Sequence, residues 1–195
     1  MRAKKHRIKK RYFLILAILV VVLALIWQPT YKKVYLKSAY PEKYQAIVTK
    51  YAVKSGLDPC LVYAVIRSES SFNKDAESSI GAMGLMQLTP PTFAWAMDKT
   101  PEKESYTSKD LYTPDVNVHY GTIVLSAFIN EFGNEQTALA AYHAGRGNVK
   151  KWLINTSYSK DGKTLYHIPF ADTRAYVKKV EETKLIYADL YSSTG

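Results

Sequence analysis

An uninterrupted apolar run near the N-terminus constrains this chain more than any other feature. The sixteen residues from Tyr12 to Trp27 include no charged side chain. As a helix they would extend about 24 Å at roughly 1.5 Å per residue, slightly less than a ~30 Å hydrocarbon core. Snorkelling of the flanking Arg11 makes up the difference. We therefore predict one N-terminal transmembrane helix over residues 12–28.

Basic side chains precede this run. Seven of the 27 Lys and Arg residues lie within residues 1–11, which contain no acidic residue. This asymmetry predicts a cytoplasmic N-terminus at residues 1–11 and export of everything after the span. A cleaved signal peptide has a similar pattern, but the bulky residues 25–28 do not form a small-residue cleavage site. We predict a single-pass signal anchor in the cell membrane, followed by a tether at residues 29–40.

The charge outside the basic block is nearly balanced. The formal net charge is +10, but beyond residue 11 only 20 basic residues face 17 acidic ones. Such a small surplus argues against nucleic acid as a partner. It would also suit an anionic cell-wall polymer. The single cysteine, Cys60, cannot form an internal disulfide, so packing alone must hold the domain.

Helical periodicity dominates residues 41–195, where no alternating strand pattern or internal repeat appears. This indicates one all-α domain. Asp58 and Pro59 are typical of a helix start, and Gly56 of the preceding helix end. Residues 73–86 read as a structured loop or small irregular hairpin. The predicted helices are 41–55, 59 to about 69–72, 91–97, 114–132, 135–144, 147–154 and 172–191.

Glu69 ends a helix with an apolar stripe formed by Leu61, Val62, Val65 and Ile66. A carboxyl group there can lie at the edge of a core and face a cleft. Desolvation in such a place raises a carboxyl pKa, which a general acid working near neutral pH requires. From position alone, an ordinary surface glutamate is the competing interpretation.

Four motifs, which follow one another along the chain, favour a catalytic role for Glu69 over this competing interpretation. They are E-S-x-aromatic-N at 69–73 with Ser78 nine residues after the glutamate, G-A-x-G-L-M-Q-hydrophobic-x-P at 81–90, A-Y-x-A-G at 141–145, and a closing I-P…T-R-x-Y-V at 168–177. Together they resemble the soluble lytic murein transglycosylase family, which has a goose-type lysozyme-like catalytic fold. The resemblance covers about residues 41–190.

The resemblance implies a reaction and a site. Glu69 would be the single catalytic acid and base, with Ser78, Gln87, Tyr142, His143 and Tyr176 binding substrate. The enzyme would cleave the bond between N-acetylmuramic acid and N-acetylglucosamine in peptidoglycan and form a 1,6-anhydro end. It would need no metal and no organic cofactor. We expect a monomer that acts on glycan strands outside the cytoplasm, with cell-wall or division machinery as possible further partners.

Three positions depart from the family pattern. His143 replaces the usual asparagine, Asp172 the usual glutamate, and Thr89 a frequent methionine. A histidine still donates a hydrogen bond to a sugar, but its charge varies with pH. None of the three is the proposed acid, so substrate fit and rate are more in question than reaction class.

Three alternatives remain. The first is a lysozyme-type hydrolase on the same fold, for which Asp75 or Glu77 would be the candidate second carboxylate. The second is a catalytically silent peptidoglycan-binding tether, which Glu69 in its expected place disfavours. The third, a basic membrane-surface or nucleic-acid binder, would need clustered basic and aromatic residues that residues 41–195 lack.

Overall fold

The computed structural model describes residues 2–26, 28–100 and 105–191, and the chain divides into two compact units. The N-terminal unit ends at Pro41. It contains helices α1 (Arg2–Ile26) and α2 (Pro29–Ala39). The large apolar side chains between Tyr12 and Leu25 are 45–74% exposed. This unit therefore presents an apolar helix without a covering layer of its own.

The predicted N-terminal organisation meets this structure only in part. Within the described residues, no helix is both long and apolar enough to cross a membrane. Trp27 of the predicted span and Met1 of the basic segment lie outside the described residues. The predicted tether is helical from Pro29 to Ala39, with the proline at the first helical position, where its missing N–H costs nothing.

The second unit starts at Glu42 and is built from helices. Its described residues contain no strand, only two isolated bridges, from Met83 to Glu77 and to Leu88. The predicted all-α class is therefore confirmed, as is the irregular segment at residues 73–86. The helices are α3 (Gln45–Lys54), α4 (Pro59–Ser70), α5 (Pro90–Met97), α6 (Pro114–Phe132), α7 (Glu135–Ala144), α8 (Arg146–Leu153) and α9 (Ala171–Tyr191), with a 3-10 helix at Ser108–Tyr112.

Helix α6 lies at the centre of this unit. It packs against α3, α5 and α7, while α4 packs along α9 and α3. Fully buried large side chains fill the space between these helices, among them Leu61, Ile66, Tyr120, Leu125, Leu139 and Tyr187. Burial of this kind contributes roughly 1.5–3 kcal/mol per side chain before entropy is counted. Helix α4, which carries Glu69, is thereby held on two sides.

Local capping explains why most helix limits were predictable. The Asp58 carboxylate accepts a hydrogen bond of 2.8 Å from the Cys60 N–H, with Pro59 at the first helical position. Gly133 ends α6 in the left-handed conformation with φ of 63°. The limits of α6 and α7 agree with the predicted ones because proline, asparagine and glycine mark them in the sequence.

Two elements differ from the prediction by more than one residue. Helix α3 begins at Gln45 rather than residue 41, because Tyr44 has φ of 60° and leaves the right-handed helical region. The 3-10 helix was predicted as polar loop. It is stabilised at its start by Asp110, whose carboxylate accepts a 2.7 Å hydrogen bond from the Thr107 N–H.

Candidate active site

The C-terminal end of α4 carries Glu69 to a cleft. Glu69 follows the buried Ile66 by three residues and so lies on the same face one turn later, where the core ends. Ser71, with φ of 51°, terminates the helix. Ser70 donates a hydrogen bond of 2.8 Å to the Leu85 carbonyl, which ties the end of α4 to the following loop.

The cleft has a volume of about 620 Å³. Among the described residues that line it, Glu69 is the only acidic one. Asp75 and Glu77, the candidate second carboxylates, are exposed and do not line it. Asp75 pairs with Lys74 at 2.7 Å, and Glu77 accepts a 2.7 Å hydrogen bond from the Tyr112 hydroxyl. The described structure therefore brings no carboxylate pair together in the cleft.

Burial raises the pKa of Glu69 from 4.5 to about 7. The Tyr176 hydroxyl and the charge of Lys179 act in the opposite direction. Lys179 is exposed and donates a 3.2 Å hydrogen bond to the Ser68 carbonyl, so water screens its attraction for the carboxylate. Desolvation therefore prevails, and a substantial fraction of Glu69 is protonated at neutral pH.

The loop after α4 forms one wall of the cleft and carries Ser78 and Gln87. The Ser78 hydroxyl accepts a 3.0 Å hydrogen bond from the Ala82 N–H, and its own proton stays available. The Gln87 side-chain amide donates to the carbonyls of Ala76 and Gly84 at 3.1 and 3.0 Å. No described residue donates to its amide oxygen. Each side chain thus keeps one polar function for a ligand.

Asn117 on α6 fixes this loop, and the sequence analysis did not identify it. Its side chain is fully buried, at 0% exposure. The amide oxygen accepts a 2.7 Å hydrogen bond from the Met86 N–H, and the amide nitrogen donates to the carbonyls of Met83 and Leu111 at 2.9 and 2.8 Å. A β-carbon on Gly84 would collide with this side chain. The available signal was a polar asparagine between Val116 and Val118 in the buried first half of α6.

Tyr142 and His143 come from the end of α7 and form the opposite part of the lining. The Tyr142 hydroxyl donates a 2.8 Å hydrogen bond to the Met86 carbonyl, which joins α7 to the Gln87 loop. The ring Nδ1 of His143 lies 3.2 Å from the Thr173 hydroxyl. Desolvation lowers the pKa of His143, and the charge of Asp172 opposes this shift. The imidazole is therefore neutral at neutral pH.

Tyr176 does not line the cleft, unlike the other four predicted binding residues. It is buried behind His143, with the two rings stacked at a centroid distance of 4.5 Å. Its hydroxyl has no partner with full hydrogen-bond geometry among the described residues, yet it interacts with Glu69 and lowers the pKa of that carboxyl. Tyr176 therefore contacts the candidate acid rather than the open cleft.

The other two family departures lie in different places. Thr89 lines the cleft and caps α5, where its hydroxyl accepts a 3.4 Å hydrogen bond from the Thr92 N–H. Asp172 is outside the lining and accepts a 2.7 Å hydrogen bond from the Thr173 N–H at the start of α9. Only His143 and Thr89 are therefore placed to touch a ligand.

Several lining residues lie outside the four sequence motifs and were not foreseen. Trp95 and Phe128 lie with ring centroids 5.8 Å apart, and Val124 and Arg146 complete this part of the cleft. Aromatic rings of this kind suit the apolar faces of sugars. The described residues contain no group of three or more His, Cys, Asp or Glu that could hold a metal ion. The unit is thus an all-α domain whose cleft, as far as its lining is described, holds one carboxyl group with a near-neutral pKa.

Comparison with known proteins defines the family. Residues 46–165 match the Transglycosylase SLT domain. The soluble lytic murein transglycosylase of Salmonella typhimurium is 33% identical over 148 residues, which cover 75% of this chain and 23% of that protein. The membrane-bound lytic murein transglycosylase C of Yersinia pestis is 30% identical over 167 residues, covering 74% and 46%. This chain belongs to the SLT-domain transglycosylase family.

A solved structure agrees with this assignment. The lytic transglycosylase Slt of Pseudomonas aeruginosa, in an inactive mutant with glutamine in place of a glutamate, superposes with a TM-score of 0.69 at 33% identity. The match covers 82% of this chain and 26% of that one. The predicted lysozyme-like all-α fold of the family is thereby confirmed. The chain spans about a quarter of the length of the Salmonella and Pseudomonas proteins and about half of the Yersinia protein.

Proposed function

We propose that this chain is a peptidoglycan lytic transglycosylase with Glu69 as its catalytic acid and base. One observation carries the proposal: a single acidic side chain stands among the described residues that line the cleft, and burial raises the pKa of that group to about 7. A carboxyl group with this pKa exists in both protonation states near neutral pH, so it can donate a proton and then accept one.

A single carboxyl group of this kind is sufficient for the reaction. Protonated Glu69 donates its proton to the glycosidic oxygen between N-acetylmuramic acid and N-acetylglucosamine, and the carbon–oxygen bond breaks. The substrate's 2-acetamido group stabilises the positive charge that develops on the anomeric carbon. Ionised Glu69 then removes the proton from the 6-hydroxyl of the N-acetylmuramic acid. The oxygen of that hydroxyl attacks the anomeric carbon of the same sugar and closes the 1,6-anhydro ring. No water is consumed, and Glu69 ends protonated as it began.

The polar lining supports a role in holding an acetamido sugar. Ser78 keeps a hydroxyl proton to donate, and Gln87 keeps an amide oxygen to accept. His143 offers a ring nitrogen, and Tyr142 braces the Gln87 loop through Met86. We assign Tyr176 to the positioning of Glu69 because it is stacked behind the lining. The named relatives, a soluble and a membrane-bound lytic murein transglycosylase, support the same substrate class.

Product analysis tests this function. The full chain should release 1,6-anhydromuropeptides from purified peptidoglycan, lighter by one water than hydrolysis products on a mass spectrometer. Glu69→Gln should lower the rate by about 10² to 10⁴ or more, because general acid and base catalysis is lost. Glu77→Gln, an exposed carboxyl outside the cleft, is the matched control and should cleave normally.

Each other result selects a different function. Reducing-end products from the wild-type chain would identify a hydrolase. Binding of glycan without cleavage by any variant would identify a silent tether. Normal cleavage by a folded Glu69→Gln variant would remove Glu69 from the mechanism.

The N-terminal unit is proposed to act as a single-pass membrane anchor at residues 12–28, with the catalytic unit outside the cytoplasm. The exposed apolar side chains of α1, the basic residues before them and a membrane-bound relative support this. In cells the chain should remain with membranes after an alkaline wash, and deletion of residues 2–28 should release it. A mature N-terminus between residues 20 and 40 would show a cleaved signal peptide instead.

A further inference from the structure

One permanently cationic side chain, Arg146, lines the cleft among the described residues. It directly follows Gly145 and begins α8. The guanidinium stays charged at every relevant pH, whereas His143 is neutral and Glu69 alternates between states. The cleft therefore contains a fixed positive charge that the transglycosylase mechanism does not use.

An ion pair orients this guanidinium. The Nε of Arg146 donates a 2.6 Å hydrogen bond to Oε2 of Glu131, and the other carboxylate oxygen of Glu131 pairs with Lys150 at 2.9 Å. One carboxylate is thus shared between two cations, and the group as a whole keeps a net charge of +1. Arg146 is held in place without being neutralised.

The side of the Arg146 guanidinium that faces away from Glu131 is available to a ligand. Its two terminal nitrogens make no hydrogen bond to any described residue, and the side chain is 47% exposed. Four N–H donors in one plane therefore face solvent or a ligand. This arrangement suits bidentate binding of a carboxylate, which matches the guanidinium in shape and charge.

We propose that Arg146 forms a carboxylate-binding site that recognises the acidic substituent of the muramic acid residue. This rests on the proposed function, because peptidoglycan supplies the carboxylate: the lactyl group at C3 carries one when it is free, and a stem peptide attached to it ends in another. Both sources share the same chemistry. Arg146 then determines specificity for muramic acid over unsubstituted N-acetylglucosamine polymers.

Kinetics on matched substrates test the site. The full chain and its Arg146→Gln variant are compared on stem-bearing peptidoglycan, on strands stripped of peptides that expose lactyl carboxylates, and on both after carboxyl amidation. Arg146→Gln should raise KM about tenfold on the carboxylate form with little change in kcat, a loss equivalent to about 1.4 kcal/mol of binding free energy. Amidation should abolish the difference. A rise confined to stripped strands assigns the lactyl carboxylate, and one confined to stem-bearing strands assigns the peptide.

Lys151→Gln is the matched control, because Lys151 is an exposed cation of the same helix that lies outside the cleft lining and leaves the Glu131 ion pairs with Arg146 and Lys150 in place. Its KM should stay within about twofold of wild type. A separate readout is co-sedimentation with insoluble peptidoglycan in a Glu69→Gln background, which requires no cleavage. Adding Arg146→Gln there should weaken binding about tenfold. Unchanged KM and binding, or equal losses on amidated strands, would overturn the site, whereas absence of anhydro products from wild type concerns only the proposed function.

Discussion

The buried side chain of Asn117 accepts a hydrogen bond from the Met86 N–H over 2.7 Å, although the two residues are 31 positions apart. Met86 in turn offers its carbonyl to the Tyr142 hydroxyl. One residue of the loop is therefore held from α6 and from α7 at once. The neighbouring Gln87 owes its place in the cleft to these two contacts.

Replacement of Asn117 by alanine should therefore destabilise the fold and disturb the loop. Three backbone groups lose their partners, two of them in buried hydrogen bonds, at about 1 kcal/mol each, so the free energy of unfolding should fall by about 2–4 kcal/mol. Urea denaturation measures this. Asn155→Ala removes an exposed hydrogen bond to the Ser157 N–H and should cost less than about 1 kcal/mol. Equal losses in both variants would contradict the bracing role.

Glu69→Gln should make the protein more stable at alkaline pH. The unfolded chain ionises Glu69 near 4.5, whereas the folded chain keeps its proton until about 7. Between these values the folded state binds more protons, so its free energy of unfolding falls as pH rises. Glutamine does not ionise, so the variant should gain on the order of 3 kcal/mol over wild type between pH 4 and pH 8. A stability difference independent of pH would contradict the raised pKa.

Lys179→Met should shift the alkaline limb of the activity profile to higher pH. The positive charge of Lys179 lowers the pKa of Glu69 and so opposes the effect of burial. Without this charge the pKa of Glu69 should rise further. Because the acid must be protonated to act, cleavage should persist to higher pH than in wild type. Lys178→Met, whose ammonium lies 3.8 Å from Glu182, is the control and should leave the profile unmoved.

His143→Asn should remove a pH-dependent component on the acidic side of the profile. Desolvation places the pKa of His143 below 6.5, so the ring is neutral near pH 7 and gains charge only in more acidic solution. An amide does not titrate in this range. Values of kcat/KM between pH 4 and 8 would reveal the difference. His167→Asn, an exposed histidine outside the cleft, should behave as wild type; the same profile in all three proteins would exclude His143 from the site.

The sequence by itself determined the helical class and most helix limits, and its four family-like motifs predicted Glu69 as the candidate acid. The helix limits depend on short-range signals, namely Pro59 and Pro114 at helix starts and Gly133 at a helix end. Capping and side-chain periodicity act within one or two turns of the chain, so they can be read without knowledge of the fold.

Only the tertiary structure decided how the site is assembled. Several features of the site depend on how different helices pack together. They are the position of Asp75 and Glu77 outside the cleft, the bracing role of Asn117, the position of Tyr176 behind the lining and the presence of Arg146 in the lining. Contacts across 31 to 56 positions leave no periodic trace in the sequence. The pKa of Glu69 is decided in the same way, because desolvation depends on everything packed around a group rather than on its neighbours in the chain.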